Sequence, residues 1–256
     1  MKFIGIIPAR YASSRFPGKP LITIKGKSMI QRVYQQALKC TALSEVYVAT
    51  DNDLIAQHVE TFGNVVMTSP DHVSGTDRCR EAISVINKGQ YTKDDVVVNI
   101  QGDEPFIHPL QIELLLGVFT DRPAQIASLY KRIERSEELF DENTVKVIVN
   151  NNNKAIYFSR LPVPFIRDLP RDQWVNNVNY FKHIGMYGYR VTALEHIGSL
   201  KQGILEKAES LEQLRWIENG MDIYMRETAM QHIAIDTPED LKKLSSKVKG
   251  PKSKEK

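Results

Sequence analysis

Apolar positions along the chain fall into two alternating textures, and their order predicts the architecture. Short, near-continuous apolar runs read as strands buried on both faces: Phe3, Ile4, Ile6 and Ile7, then Val46–Thr50, Val65–Thr68 and Asp95–Gln101. Between them, Met29–Cys40, Leu54–Phe62, Cys79–Ile86 and Leu110–Phe119 carry apolar residues at helical spacing. Strand and helix in strict alternation predict a mainly parallel sheet with right-handed crossovers and helices on both faces.

After that the texture changes. Val145–Val149 and Lys154–Ser159 flank Asn150-Asn151-Asn152-Asn153, a strong turn signal because Asn tolerates positive φ, and together they predict an antiparallel hairpin. Prolines 162, 164 and 170 predict a rigid, non-helical excursion. Phe181–Arg190 reads as a strand rich in Gly and aromatics, where glycine signals close approach by a ligand or another backbone. Glu206–Glu218 reads as one amphipathic helix, Ile223–Met225 and Ile233–Ile235 as strands. Asp236 or Thr237 should cap a last helix through Leu244.

Composition narrows the class. With 256 residues, 42% hydrophobic and 25% charged, the chain fits one large α/β domain, or one with a smaller lobe. The net charge of +3 would invite a nucleic-acid reading if it were spread over the fold. Residues 242–256 alone carry seven Lys and one Glu, so the rest of the chain is net negative and the basicity is a polar tail. Two cysteines without metal spacing, no charged-head and apolar leader pattern, and no run near the roughly 20 apolar residues of a bilayer span predict a cytoplasmic protein without membrane insertion.

Chemistry-bearing residues gather at strand ends. Arg10, Arg15 and Lys19 follow the first strand among turn residues, as suits a polyphosphate gripped by charge-assisted hydrogen bonds, although a solvated basic loop has the same composition. The loop has neither the Walker spacing nor the dinucleotide glycines. Asp51-Asn52-Asp53 could hold a metal but reads more simply as a strand end and helix cap. Ser74 and Thr76 read as caps, while Arg78 in a helix's first turn opposes the dipole and answers to something outside that helix. Asp103, after Gly102 at the end of a buried strand, sits where open sheets place ligand contacts; Glu104 reads as a cap for the following helix. His183, Arg160, Glu212 and the aromatics at 187 and 189 each have a plain packing or surface reading.

Taken together, PARYASSRFPGKPL, SGTDR, QGDEP, YFSR, KHIGMYGYR, ESLEQLR and IDTPEDL resemble, in order, the nucleotide-sugar cytidylyltransferases, from Met1 to Leu244. The resemblance implies a nucleotidyltransferase of GT-A-like, Rossmann-type α/β fold with a smaller antiparallel lobe for sugar binding and dimerisation. It implies one domain over residues 1–248, with 1–130 mainly nucleotide-binding, 131–235 mainly sugar-binding and dimer-forming, and 236–248 a C-terminal helix; residues 249–256 would be a disordered tail. The implied reaction joins CMP from CTP to an acidic sugar, 3-deoxy-manno-octulosonate (Kdo). Pro8, Ala9, Arg10, Ser13, Arg15, Lys19, Ser74, Arg78 and Gln101 would bind nucleotide, with Arg10, Lys19, Asp103 and Asp236 catalytic. Asp103 and Asp236 would hold Mg²⁺. Arg160 would meet the sugar carboxylate, with His183, Tyr187, Glu212 and Gln213 around it, in a homodimer. The competing readings are a cytidylyltransferase for a sialic-acid-type sugar, a glycosyltransferase using Asp51-Asn52-Asp53, and a non-enzymatic binder of CTP or nucleic acid.

Overall fold

The first apolar run forms β1 (Phe3–Ala9), with Ile4, Ile6 and Ile7 fully buried. The computed structural model describes residues 1–12, 16–230, 235, 237 and 239–241. A short ribbon, β2 (Thr23–Ile24) and β3 (Lys27–Ser28), leads into α1 (Met29–Ala37), whose cap Ser28 accepts the Gln31 amide. The predicted alternation continues through β4 (Glu45–Thr50), α2 (Asp53–Glu60), β5 (Asn64–Met67), α3 (Gly75–Ile86), β6 (Val96–Asn99) and α4 (Pro109–Asp121). β4 and β6 flank β1, and β5 lies beyond β4, all four parallel.

The second half adds β7 (Ile126–Arg132), α5 (Ser136–Phe140), β8 (Lys146–Val149), β9 (Ala155–Ser159), α6 (Trp174–Asn177) and β10 (Phe181–Arg190). It ends with α7 (Val191–Ile197), α8 (Ile204–Glu209), α9 (Gln213–Glu218) and β11 (Ile223–Glu227). β10 inserts antiparallel between β6 and β7, and β11 runs parallel to β7. Among the described residues these strands make one nine-stranded sheet, ordered β5-β4-β1-β6-β10-β7-β11, with the antiparallel pair β8–β9 joined to β10 through Lys146 and Lys182. The expected α/β class with a smaller antiparallel part is therefore the observed one.

Alternation along the strands builds two core layers. Ile7, Val46, Val48, Val96 and Val98 pack with apolar residues of α1, α2 and α4 on one face. Ile4, Ile6, Ala49 and Val97 pack with Cys79, Leu194 and Trp216 of α3, α7 and α9 on the other. A third cluster, Ile133, Leu139, Trp174, Val175 and Tyr180, packs α5 and α6 with the residues that follow β7 and precede β10.

Four local expectations change. The single helix expected over 206–218 is two helices, because Ser210 adopts φ 53° and the Arg160 guanidinium takes up the carbonyls of Glu209 and Ser210. Glu104 does not cap α4. It is buried, and the cap is His108, whose Nδ1 accepts the Leu110 amide while the Gln111 side chain answers the His108 amide. Residues 126–132 and 191–197, for which the sequence pattern suggests no element, form β7 and α7. The hairpin turn is as expected, with Asn153 at φ 58°. Thr237 caps as expected, through reciprocal bonds with Asp240, while Ile233, the helix beyond Leu241 and the Lys-rich tail lie outside the described residues. No helix among the described residues is long and apolar enough to cross a membrane.

Gly188 lets β10 lie close under α4, since a Cβ there would stand 2.6 Å from a ring carbon of Phe119. Gly188→Ala is expected to cost about 1–3 kcal/mol by overpacking. Phe119→Leu in the same chain should recover part of that loss, read as the midpoint of urea unfolding.

Candidate active site

Parallel pairing of β1 with β6 sets the site. Ile6 stands opposite Asn99 and the Ile100 amide bonds the Ile6 carbonyl at 2.9 Å, so the two strands end level. Pro8 and Ala9 at the end of β1, and Arg10 just past it, lie beside Gln101, Gly102 and Asp103, which follow β6. The chain passes from β1 to β4 on one side and returns to β6 on the other, and the crevice at such a reversal is where open α/β sheets bind ligands. Gly102 is needed for the approach: a Cβ there would lie 2.7 Å from the Pro8 carbonyl oxygen, a backbone atom that cannot swing away.

The start of α3 closes a third side. Ser74 caps it, its Oγ accepting the Asp77 amide at 3.1 Å. The resulting cavity, of about 230 Å³, is lined among others by Arg10, Lys19, Ser74, Arg78, Gln101 and Asp103. Lys19 follows the left-handed turn at Gly18 (φ 68°), and its Nζ lies 2.9 Å from Asp103 Oδ2. Residues far apart in sequence thus put cations and one carboxylate at a single rim.

Arg78 answers to something outside its helix, as the sequence suggests, but that partner is the protein itself. Its guanidinium donates to Thr68 Oγ1 at 2.6 Å and to Asp51 Oδ2 at 3.1 Å, with the residue only 3% exposed. Asn52 caps α2 by accepting the Ile55 amide. With Asp51 ion-paired and Asn52 capping, the Asp51-Asn52-Asp53 run fills the strand-end and cap role expected of it.

Of the residues proposed for the sugar, Glu212 bonds a residue that lines this cavity, Ser74. Gln101 Nε2 donates to the Gly185 carbonyl at 2.9 Å, where β10 bulges against β7. His183, on the same strand, meets Ser128 Oγ at 2.9 Å through Nε2 and packs against Phe158 and Tyr187. Tyr187 is buried between His183, Tyr189 and Trp216. Burial holds the phenols of Tyr187 and Tyr189 well above the usual tyrosine range.

Glu212 precedes α9 and reaches α3, its carboxyl oxygens lying 3.0 Å from Ser74 Oγ and 2.8 Å from Thr76 Oγ1. Burial, the largest cause, raises its pKa, and nearby Asp77 adds to the rise. Gln213 is buried at the start of α9. Arg160 stands apart in its bonding: its guanidinium is spread over the carbonyls of Glu209, Ser210 and Glu142.

Ser13, Arg15 and Asp236 lie outside the described residues. Thr76 and Ser128 escape sequence reasoning. Thr76 reads as part of a capping run, and Ser128 sits on a strand the pattern does not announce.

Cations and a carboxylate at the reversal point of a doubly wound half-sheet form a cleft suited to a phosphate-bearing ligand. A family model described as cytidylyltransferase matches residues 4–223, and the chain belongs to that family. It is 52% identical over 248 residues to the 3-deoxy-manno-octulosonate cytidylyltransferase of Parabacteroides distasonis, covering 95% of this chain and 96% of that one. It is 44% identical over 246 residues to the 8-amino-3,8-dideoxy-manno-octulosonate cytidylyltransferase of Shewanella frigidimarina, covering 95% and 97%. Among solved structures, CMP:2-keto-3-deoxy-manno-octonic acid synthetase complexed with CTP superposes with a TM-score of 0.87 at 41% identity, over 96% of this chain and 98% of that one. A cytidylyltransferase from Leptospira borgpetersenii, at 15% identity and TM-score 0.60 over 96% and 86%, shares the fold.

Arg78→Met is expected to destabilise the protein by about 3–5 kcal/mol, because it strands Asp51 without its partner. Chemical denaturation reads this directly, and an unchanged midpoint would mean the guanidinium is held only for ligand.

Proposed function

We infer that this protein is a 3-deoxy-manno-octulosonate cytidylyltransferase: CTP and Kdo give CMP-Kdo and pyrophosphate, an activation step for lipopolysaccharide assembly. The observation that carries the reading is the rim itself, where Arg10, Lys19 and Asp103 meet at the ends of β1 and β6 in a chain half-identical to relatives named for this activity. In-line attack of the anomeric hydroxyl on the α-phosphate needs alignment and dispersed charge more than covalent help from the protein. Arg10 and Lys19, with Arg15, are assigned to the triphosphate, Ser74 and Gln101 to the pocket walls, and Arg78 to holding the α3 wall in place through Thr68 and Asp51.

The donor chemistry fits Mg²⁺. Among the described residues no group of three or more acids, histidines or cysteines converges, and Asp103 is the carboxylate at the rim. A hard cation that keeps several waters and takes one or two carboxylates plus substrate phosphates suits that arrangement. Asp103 would hold it, with Asp236 as the second acid, and the ion would supply charge neutralisation on the phosphates. Lys19, now on Asp103, is placed to turn to phosphate when that carboxylate is engaged.

On the sugar side, His183, Gln213 and Glu212 are assigned to the hydroxyls, with Tyr187 packed behind His183. Arg160 is assigned to the sugar carboxylate, which requires it to release at least one of its backbone carbonyls. We read the protein as a cytoplasmic homodimer associating through the lobe, where Ile156, Leu161 and Phe165 are exposed.

Purified protein with CTP and Mg²⁺ should release pyrophosphate only when Kdo is added. Kdo should outcompete both its 8-amino analogue and a sialic acid in kcat/KM. Lys19→Ala and Asp103→Ala should each lower kcat about a hundredfold or more. Release in the absence of any sugar, or only with sialic acid, would sink the assignment.

A further inference from the structure

With both carboxyls ionised the hydrogen bonds around Glu212 are one proton short, and Asp77, in the first turn of α3 where the helix dipole favours a negative charge, is the one suited to keep its charge. Ser74 Oγ has one hydrogen to give and two lone pairs. It lies 3.0 Å from Asp77 Oδ2 and 3.0 Å from Glu212 Oε1, and it already accepts the Asp77 amide at 3.1 Å. With both carboxyls ionised, one hydroxyl proton faces two negative acceptors, and one of them is left against an oxygen lone pair. With Glu212 neutral every bond is made: Glu212 Oε1–H donates to Ser74, Ser74 donates to Asp77, and Thr76 Oγ1 donates to Glu212 Oε2 at 2.8 Å. Tyr189 Oη, 3.4 Å from Thr76 Oγ1, completes the chain as a donor.

We propose that Glu212 is a neutral carboxylic acid in the substrate-free enzyme, and that in this form it is a positioning residue that pins the start of α3 to the sugar lobe. The link joins a wall of the nucleotide cavity to the residue beside Gln213 across 138 positions of sequence. Its ionisation breaks the donation to Ser74 and loosens that wall. The charged and titratable groups facing Glu212 are Asp77 and Cys79 on α3, Arg215 on α9, and Tyr187 and Tyr189 on β10. Arg215 is engaged with Glu206, which it grips through two bonds of 2.6 Å, so it is a divided counter-charge for Glu212. Burial and the neighbouring Asp77 both favour the neutral form.

A carboxyl whose folded pKa lies above its unfolded value supports the fold fully below the unfolded pKa, and that support is lost as pH rises to the folded pKa. The loss belongs to the wild type and is absent from Glu212→Gln, whose amide nitrogen can donate to Ser74 and whose oxygen can accept from Thr76.

The test is a titration of the substrate-free enzyme labelled with ¹³C at glutamate carboxyls, the Glu212 signal being the one missing from Glu212→Gln. The expected midpoint lies above the ordinary glutamate value, and Asp77→Asn should move it down by freeing the Ser74 proton. Glu212→Gln should unfold at a denaturant concentration close to wild type, whereas Glu212→Ala should fall well below. A midpoint at or below the ordinary value, or equal destabilisation by Gln and Ala, overturns the proposal.

A kinetic arm rests on the CTP reading above. KM for CTP should rise severalfold with pH through the same midpoint in wild type, and should not do so in Glu212→Gln. An identical profile in both proteins would refute the positioning role. If no nucleotide is turned over at all, the functional reading fails while the titration still decides the proton.

Discussion

The parallel pairing of β1 with β6 is the constraint on which the rest of the site depends. Four paired positions, from Phe3 opposite Val96 to Ile6 opposite Asn99, bring two strand ends level although some ninety residues of chain lie between them. Two walls of the cleft are then a matter of what each strand carries past that last pair, while Lys19 and Ser74 come from other segments. β1 delivers Pro8, Ala9 and Arg10; β6 delivers Gln101, Gly102 and Asp103. A one-residue slip would exchange the buried and opposite faces of a strand that is apolar on both, and would also carry Gly102 away from the Pro8 carbonyl, whose close approach leaves no room for a Cβ.

Sequence pattern reads this half well because its signals are redundant. Val-rich runs, helical spacing and capping residues all agree, so β1, β4, β5 and β6 and the helices between them emerge close to their true bounds. It reads the second half less well, for physical reasons. In β7, Ile126-Ala127-Ser128-Leu129-Tyr130-Lys131-Arg132, small and charged residues mute the strand signal. The segment is a strand because β10 and β11 pair with its two sides, a tertiary effect with no local trace. The break at Ser210 is equally nonlocal, since it is held by Arg160 from another element.

Candidate residues divide along the same line. Arg10 and Asp103, which sit just past strand ends, and Lys19, in the turn after Gly18, could be found from order along the chain. Those whose role is bonding across the molecule could not be read fully. The sequence marks Arg78 as answering to a partner beyond its helix without showing that Thr68 and Asp51 are that partner. It marks Glu212 without showing that its first neighbours are Ser74 and Thr76. The residues proposed for the sugar and those proposed for the nucleotide are linked where Gln101 meets Gly185 and where Glu212 meets α3.

The antiparallel insertion of β10 has a consequence for how the chain is made. β6, Val96-Val97-Val98-Asn99, is buried along its whole length, and its second neighbour is a strand that begins only at Phe181. While the intervening chain is being synthesised, β1, β4, β5 and β6 can already associate, with β6 as an open, valine-rich edge. Such an edge is a template for pairing with another copy. The interval before β10 closes it is therefore the point in biogenesis at which this protein is most exposed to aggregation, and the finished sheet hides the hazard in its centre.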